Sequence, residues 1–226
     1  MPHQHFILHK PYGYLSQFVS QFSGELKKKK LGELHDFPAG TMSIGRLDEE
    51  SEGLLLLTTN GKMSDLIRSR KIEKEYYAQV DGLIDEAAIA QMQAGVEIGI
   101  HSEKYITSPC IARRLDPAPN FAPRTRKIRD DRHGPTSWVA ITLTEGKFRQ
   151  VRKMTAAVGF PTLRLVRVRV GEILLGDMTP GAVLEVADFG VNDENASKNI
   201  HAEFIEASLP REQLHYCSKV VPTSSA

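Results

Sequence analysis

One stretch constrains the fold more than any other: a short acidic segment that runs directly into an apolar one. Residues 46–52 carry one arginine and four acidic residues between Gly45 and Gly53, and residues 54–57 are four consecutive leucines. The apolar run suits a buried strand and is far too short to cross a membrane. Because a buried strand holds the adjoining loop rigidly, an ionisable residue in that loop is well placed for chemistry.

Hydrophobic periodicity along the chain indicates an α+β fold with a mainly antiparallel, mixed sheet in two lobes, flanked by a few helices and loops. The 226 residues, 41% of them apolar, can bury one core or two small ones. Helices are predicted over residues 62–69, from an N-cap at Asp85 to about residue 94, and over 147–158 with Phe148 facing inward. Strands are predicted to include residues 6–8, 54–57, 76–80, 138–143, 166–170 and 182–187.

Charge is unevenly distributed, although 29 basic residues nearly balance 28 acidic ones. Between Gly146 and Val170 lie seven basic residues and no acidic one, whereas acidic residues outnumber basic ones from Gly176 onwards, eight to three. Residues 112–135, rich in proline and basic residues, are typical of a long surface loop. The lysine run at residues 27–30 fits either a solvated loop or an arm that contacts phosphates. A basic middle favours a polyanionic partner.

The ends of the chain and its cysteines bear on compartment and domain organisation. Cys110 and Cys217 lie far apart, and no secretory signal precedes the first strand-like segment, so we expect a cytoplasmic protein with reduced thiols and no membrane segment. Residues 1–191 are expected to form a catalytic domain. Residues 192–226 are expected to form an acidic, partly disordered extension.

The acidic segment by itself leaves several interpretations open. Its carboxylates could bind a divalent cation, as metal-dependent phosphodiester hydrolysis requires, or supply the carboxylate pair of a glycosidase. They could equally form a solvated turn that begins a strand. The candidate residues are Asp48, Glu49, Glu50 and Glu52.

Five blocks of the sequence resemble, in order, the pseudouridine synthases that modify small- and large-subunit ribosomal RNA. The blocks are His9-Lys10-Pro11, Gly45–Asp48 with Ser51–Thr58, Lys74–Tyr76, Glu145–Met154 and Gly159–Arg167. The resemblance extends over roughly residues 6–187. Within the group the chain looks most like the E-type large-subunit enzymes. The resemblance leaves no room for an N-terminal RNA-binding domain of the S4 type, and the segments Pro135–Trp138 and Gly159–Arg167 resemble that type of enzyme.

The resemblance implies a cofactor-free isomerisation, in which a uridine loses its N-glycosidic bond and its base rejoins the sugar through C5. Asp48 matches the family nucleophile, and Tyr76 matches the tyrosine that packs on the target base. Arg152 would keep Asp48 ionised, although a phosphate contact is its alternative role. Arg46 resembles the arginine that fills the gap left by the flipped base.

The resemblance also implies the partner and the RNA-binding residues. The RNA path would be lined by Lys10, Lys147, Arg149, Arg164 and Arg167. The partner would be ribosomal RNA, the 23S molecule for an E-type enzyme, either free or in a pre-ribosomal particle, bound by a monomer without cofactor or metal. Glu49, Glu50 and Glu52 would then be solvated. The alternative function is a non-catalytic RNA-binding factor in ribosome assembly that has the same fold.

Overall fold

The computed structural model describes residues 2–20, 22–69, 72–128 and 131–191. Residues 1–190 group into one unit by their contacts. The predicted C-terminal extension, residues 192–226, lies outside the described residues. Within the described ranges, no helix has the length and apolar character that a membrane span requires.

The described part of the chain contains three α-helices and thirteen strands. The helices are Gly61–Ser69 (α1), Glu86–Ala94 (α2) and Gln150–Ala157 (α3). The strands are His5–Lys10 (β1), Tyr14–Leu15 (β2), Lys29–Lys30 (β3), Met42–Ile44 (β4), Glu52–Thr58 (β5), Lys74–Asp81 (β6), Glu97–Ile100 (β7), Glu103–Ile106 (β8), Ile111–Leu115 (β9), Thr136–Leu143 (β10), Thr162–Val170 (β11), Ile173–Leu174 (β12) and Val183–Val186 (β13).

Nine of these strands form one sheet in the order β13-β1-β5-β11-β6-β10-β9, with β4 beside β5 and β12 beside β11. Neighbouring strands in this sheet are antiparallel except for β5 and β11, which are parallel. Two small ribbons, β2–β3 and β7–β8, lie apart from it. The predicted α+β class with a mainly antiparallel, mixed sheet is confirmed.

Two apolar clusters are found among the described residues. The larger contains residues of β6 and β10 together with Met92 of α2 and Met154 of α3, both fully buried. The smaller is built by side chains of β1 and β5, with Leu31 and Leu47 from the intervening loops. The leucines at 54–57 are at most 2% exposed, and each contributes roughly 1.5–3 kcal/mol by its burial. Tyr76 packs against both clusters.

The parallel pairing joins the strands of one cluster to those of the other. Glu52 lies opposite Val166, and Gly53 lies opposite Arg167. Gly53 has a φ of +103°, and a Cβ at this position would lie 2.2 Å from the carbonyl oxygen of Arg167. Only glycine permits this approach of two backbones. The pairing therefore fixes the start of β5, and the acidic loop before it, against β11.

The helix predicted over 147–158 begins three residues later than expected, and the prediction that Phe148 faces inward is wrong. Arg149 has a φ of +52°, a left-handed conformation that stops a helix from extending through it. Phe148 therefore lies in the preceding loop and is 57% exposed. The basic loop predicted over 112–135 is also shorter than expected, because residues up to Leu115 pair with β10 as strand β9.

Candidate active site

Asp48 lies in the loop between β4 and β5, where the backbone is held on both sides of it. The Ser16 hydroxyl donates to the carbonyl oxygen of Leu47 at 2.7 Å and accepts from its N–H at 3.0 Å. The N–H of Ser51 donates to the carbonyl oxygen of Asp48 at 3.0 Å. The Asp48 side chain remains 25% exposed. The loop thus presents one carboxylate to solvent from a fixed backbone.

Two arginines flank this carboxylate at distances longer than a hydrogen bond. Arg149 Nη1 lies 3.7 Å and Arg152 Nε lies 3.9 Å from Asp48 Oδ2. Arg152 Nε is buried and has no hydrogen-bond partner in the part of the chain that the structure describes. Both cations are close enough to interact electrostatically with the carboxylate. At these distances they leave the carboxylate oxygens open to a substrate.

The two arginines are themselves tied to the loop that follows Asp48. Arg152 Nη2 donates to the carbonyl oxygen of Glu50 at 3.0 Å and to the Ser51 hydroxyl at 3.3 Å. Arg149 Nη2 donates to Glu50 Oε2 at 3.2 Å. Burial, reinforced by the nearby Arg149, lowers the pKa of the Arg152 guanidinium. An arginine starts from so high a pKa that this one stays charged at neutral pH.

A cavity of about 390 Å³ opens beside the Asp48 carboxylate. Its volume lies within the range of pockets that hold small molecules, and it can accept a nucleoside. Tyr76, half-buried on β6, and the exposed Arg46 belong to its lining. Predicted site residues that line this one cavity are Arg46, Asp48, Tyr76, Lys147 and Arg149.

Lys10 was expected on the RNA path, and that expectation is wrong because its side chain is 0% exposed. Its Nζ donates to the carbonyl oxygens of Pro11, Glu49 and Ser51, at 3.0, 3.3 and 2.8 Å. Burial lowers the pKa of Lys10 to about 7, although the acidic loop opposes that shift. Lys10 therefore fastens the loop after Asp48 from within.

Arg164 and Arg167 are also buried, so the expectation that they contact RNA is wrong as well. Both Arg164 Nε and Nη2 donate to the Glu52 carboxylate, at 2.9 and 2.8 Å. Arg167 is 5% exposed, and its Nε donates to the carbonyl oxygen of Leu54 at 2.8 Å. These cations of β11 stabilise the beginning of β5.

The acidic residues around Asp48 are divided among separate cations. Glu49 pairs with Lys28 at 2.6 Å, and Glu50 pairs with Arg149. Glu52 was expected to be solvated, and that expectation is wrong because it is 1% exposed. Among the described residues, no group of three His, Cys, Asp or Glu side chains could hold a metal ion. Each of these three carboxylates therefore has a cationic side chain as its partner.

Glu145 is a residue whose contribution the sequence did not reveal. Its carboxylate accepts hydrogen bonds from the Tyr105 hydroxyl, the Ser108 backbone N–H and the Gln150 side-chain amide. The Lys147 ammonium lies 4.8 Å from the centre of the Tyr105 ring. Glu145 therefore fixes both ends of the loop that carries Lys147 and leads into α3. Glu145 lies just after β10, and nothing in the sequence indicates that Tyr105 and Ser108, some forty residues earlier, donate to it.

We expect stability to depend on pH through Glu145. Burial acts to raise its pKa, but the hydrogen bonds from Tyr105, Ser108 and Gln150 outweigh it, so the pKa lies below the ordinary value. A lowered folded-state pKa stabilises the fold above the ordinary glutamate pKa of about 4.3, and this contribution is lost as pH falls through the folded-state value. The free energy of unfolding should therefore differ between wild type and Glu145→Gln at pH 7, and the difference should shrink as pH falls below about 4.3. A difference that stays constant across urea titrations at these pH values would contradict this account.

Comparisons with known proteins agree on one family. Residues 4–157 match the family model described as RNA pseudouridylate synthase. A protein named ribosomal large subunit pseudouridine synthase E from Xanthomonas axonopodis pv. citri is 40% identical over 176 residues, covering 77% of this chain and 89% of that protein. One of the same name from Vibrio parahaemolyticus is 40% identical over 184 residues, covering 80% and 72%. A crystal structure of a pseudouridylate synthase matches with a TM-score of 0.64 and 26% identity, covering 81% of this chain and 70% of that one.

Proposed function

The chain belongs to the RNA pseudouridylate synthase family, and from this premise we propose that it isomerises a specific uridine of 23S ribosomal RNA to pseudouridine. One observation carries the proposal: a fixed carboxylate, Asp48, has two arginines 3.7 and 3.9 Å from its Oδ2 and lies beside a nucleoside-sized cavity. The substrate class follows from relatives that are named for the large ribosomal subunit.

The reaction needs a nucleophile and no redox cofactor. The N1–C1′ bond of the uridine breaks and a C5–C1′ bond forms, while C5 loses a proton and N1 gains one, so the composition of the RNA is unchanged. Asp48 serves as the nucleophile because an ionised carboxylate has no proton to lose at neutral pH. Arg149 and Arg152 oppose the desolvation that would favour its neutral form when RNA covers the cavity.

Two residues of the cavity would stabilise the extruded base and the gap that it leaves in the RNA. Extruding a stacked base costs a few kcal/mol, and this cost is offset when protein groups take the place of the neighbouring bases. Tyr76 would pack on the extruded uracil from β6. Arg46, exposed at the edge of the cavity, would enter the gap in the RNA, where its planar guanidinium can stack and contact phosphate.

The rim of the cavity suits a single RNA strand. Lys147 and Arg149 supply positive charge for backbone phosphates. Phe148, which lies between them and is 57% exposed, offers a ring on which a neighbouring base can stack. Because one chain carries the whole residue set, the enzyme would act as a monomer. It would work in the cytoplasm, where its ribosomal substrate is made.

Pseudouridine mapping tests this function directly. We expect the purified chain to form pseudouridine at one position of a 23S ribosomal RNA transcript, or of assembled large subunits, detected by carbodiimide labelling and primer extension. Comparing the two substrates shows which form of the RNA is used. Salt-dependent RNA binding without any pseudouridine in either substrate would favour the alternative, a non-catalytic assembly factor.

A further inference from the structure

A second cavity, of about 260 Å³, adjoins the Asp48 site and has no part in the chemistry above. The two are adjacent because Arg152, which lies 3.9 Å from Asp48 Oδ2, also lines this second cavity. Four basic side chains and one carboxylate belong to its described lining. We call it the Arg124 pocket, formed chiefly by Tyr12, Glu50, Arg124, Arg126, Lys127 and Arg152.

Tyr12 organises the cations of the Arg124 pocket. The Arg124 guanidinium lies 4.7 Å from the centre of the Tyr12 ring, a cation–π contact. Arg126 Nη1 donates to the Tyr12 hydroxyl at 3.3 Å. The next residue, Gly13, donates its backbone N–H to the carbonyl oxygen of Glu49 at 2.9 Å. The turn that carries Tyr12 is thereby attached to the loop of the reactive carboxylate.

The positive charge of the pocket exceeds what its lining neutralises. Its carboxylate, Glu50, already accepts a hydrogen bond from Arg149, which lines the first cavity. Burial lowers the pKa of Arg124, and the repulsion of Arg126 and the buried Arg164 adds to that shift. Crowded cations of this kind are stabilised by an anion that enters between them.

We propose that the Arg124 pocket binds a backbone phosphate of the RNA strand, next to the nucleotide whose base enters the Asp48 cavity. Guanidinium groups present paired donors that match phosphate oxygens. Arg152 of the pocket lies 3.9 Å from Asp48 of the first cavity, so a strand that places its uridine beside Asp48 can continue into the pocket. The inference rests on the proposed function, because it takes the ligand of the first cavity to be RNA. In this arrangement Arg126 and Lys127 are positioning residues that hold the strand and do not touch the reacting atoms.

The test compares two double variants that remove equal charge. Arg126→Ala with Lys127→Ala removes the two exposed cations from the lining of the pocket. Lys62→Ala with Arg68→Ala removes two exposed cations from α1, which contributes no described residue to either cavity. The probe is a fluorescein-labelled single-stranded decauridylate, bound to the full chain at 50–200 mM salt, a range chosen because the phosphate contribution changes strongly across it.

We expect the pocket variant to bind the decauridylate roughly tenfold more weakly at low salt, with a salt slope smaller by about 0.7 for each phosphate that the variant no longer neutralises. The α1 variant should keep the wild-type slope. Equal changes in the two variants would show a general charge effect and overturn the proposal, as would an unchanged slope in the pocket variant.

Thermal unfolding with inorganic phosphate is a separate experiment. If phosphate stabilises the wild type but not the pocket variant, while decauridylate binding is the same in both, the pocket is a free-anion site and the proposal fails.

The outcome is independent of turnover. A reduced slope in the pocket variant, together with no pseudouridine from the wild type, would retain the phosphate site and reject the proposed function. Normal pseudouridine formation with an unchanged slope would reject the phosphate site alone.

Discussion

Asp48→Asn is expected to lower the rate of pseudouridine formation by at least about a thousandfold, because the amide has nearly the same shape but is not a nucleophile. The fold should persist, since the side chain is partly exposed and its ion pairs span 3.7 and 3.9 Å. Losing such pairs costs about 1 kcal/mol or less. RNA affinity should be unchanged or slightly higher, because the substitution removes a negative charge that repels the phosphates. The measurement is release of tritium from RNA labelled at uridine C5, which loses its proton in the reaction.

Asp65→Asn is the matched control for this substitution. Asp65 lies on α1, its side chain is 80% exposed, and it lines neither cavity. The substitution makes the same change from carboxylate to amide. This variant should release tritium at the wild-type rate. Asp48→Asn activity within tenfold of the wild type would exclude the nucleophile role and favour catalysis by another group of the cavity.

Glu52→Ala is expected to destabilise the fold by about 3–5 kcal/mol, because it leaves Arg164 buried without its counter-charge. The two side chains are 2% and 7% exposed and are joined by two hydrogen bonds of 2.8 and 2.9 Å. Glu49→Ala, in the same loop, is the control. Its pair with Lys28 is 36–39% exposed, so removing it should change stability by only a small fraction of that amount. The measurement is the free energy of unfolding from urea titrations of both variants.

A double substitution separates the cost of an unpaired charge from the value of the pair. Replacing Glu52 with leucine and Arg164 with methionine removes both charges together. Because burying two charges is costly in itself, this variant should recover much of the stability that Glu52→Ala loses. If Glu52→Ala costs no more than Glu49→Ala, water reaches Arg164 and the pair does not support β5 in the way described.

The elements that the sequence predicted well are those determined by nearby residues. The α2 helix begins after Asp85, whose carboxylate accepts from the Ala88 N–H at 2.8 Å, as the N-cap pattern indicates. The strand at residues 138–143 and the last strand were also predicted correctly. Periodicity and caps depend on residues a few positions apart, so a single sequence contains them.

The errors arose where partners are far apart along the chain. Lys10, Arg164 and Arg167 have the composition of a surface that contacts phosphates, yet backbone carbonyls and Glu52 hold them inside. An arginine that pairs internally has the same local sequence as one that faces solvent. Phe148 faces outward because Arg149 is left-handed, and no local pattern records that conformation. Family motifs, by contrast, indicated residues from separate elements, and Arg46, Asp48 and Tyr76 do line one cavity.

The parallel pairing of β5 with β11 has a consequence for when the enzyme can first work during its own synthesis. The cations beside Asp48 follow it by roughly 100 residues, and β11 is made later still, so at 5–20 residues per second the loop of Asp48 waits about 5–20 s for them. Contacts that distant along the chain also make folding slow, since the chain must close a long loop before they form. A nascent chain that ends before β11 contains Asp48 without the strand that supports its loop. Catalytic competence is therefore acquired late, after nearly the whole of residues 1–190 has been synthesised.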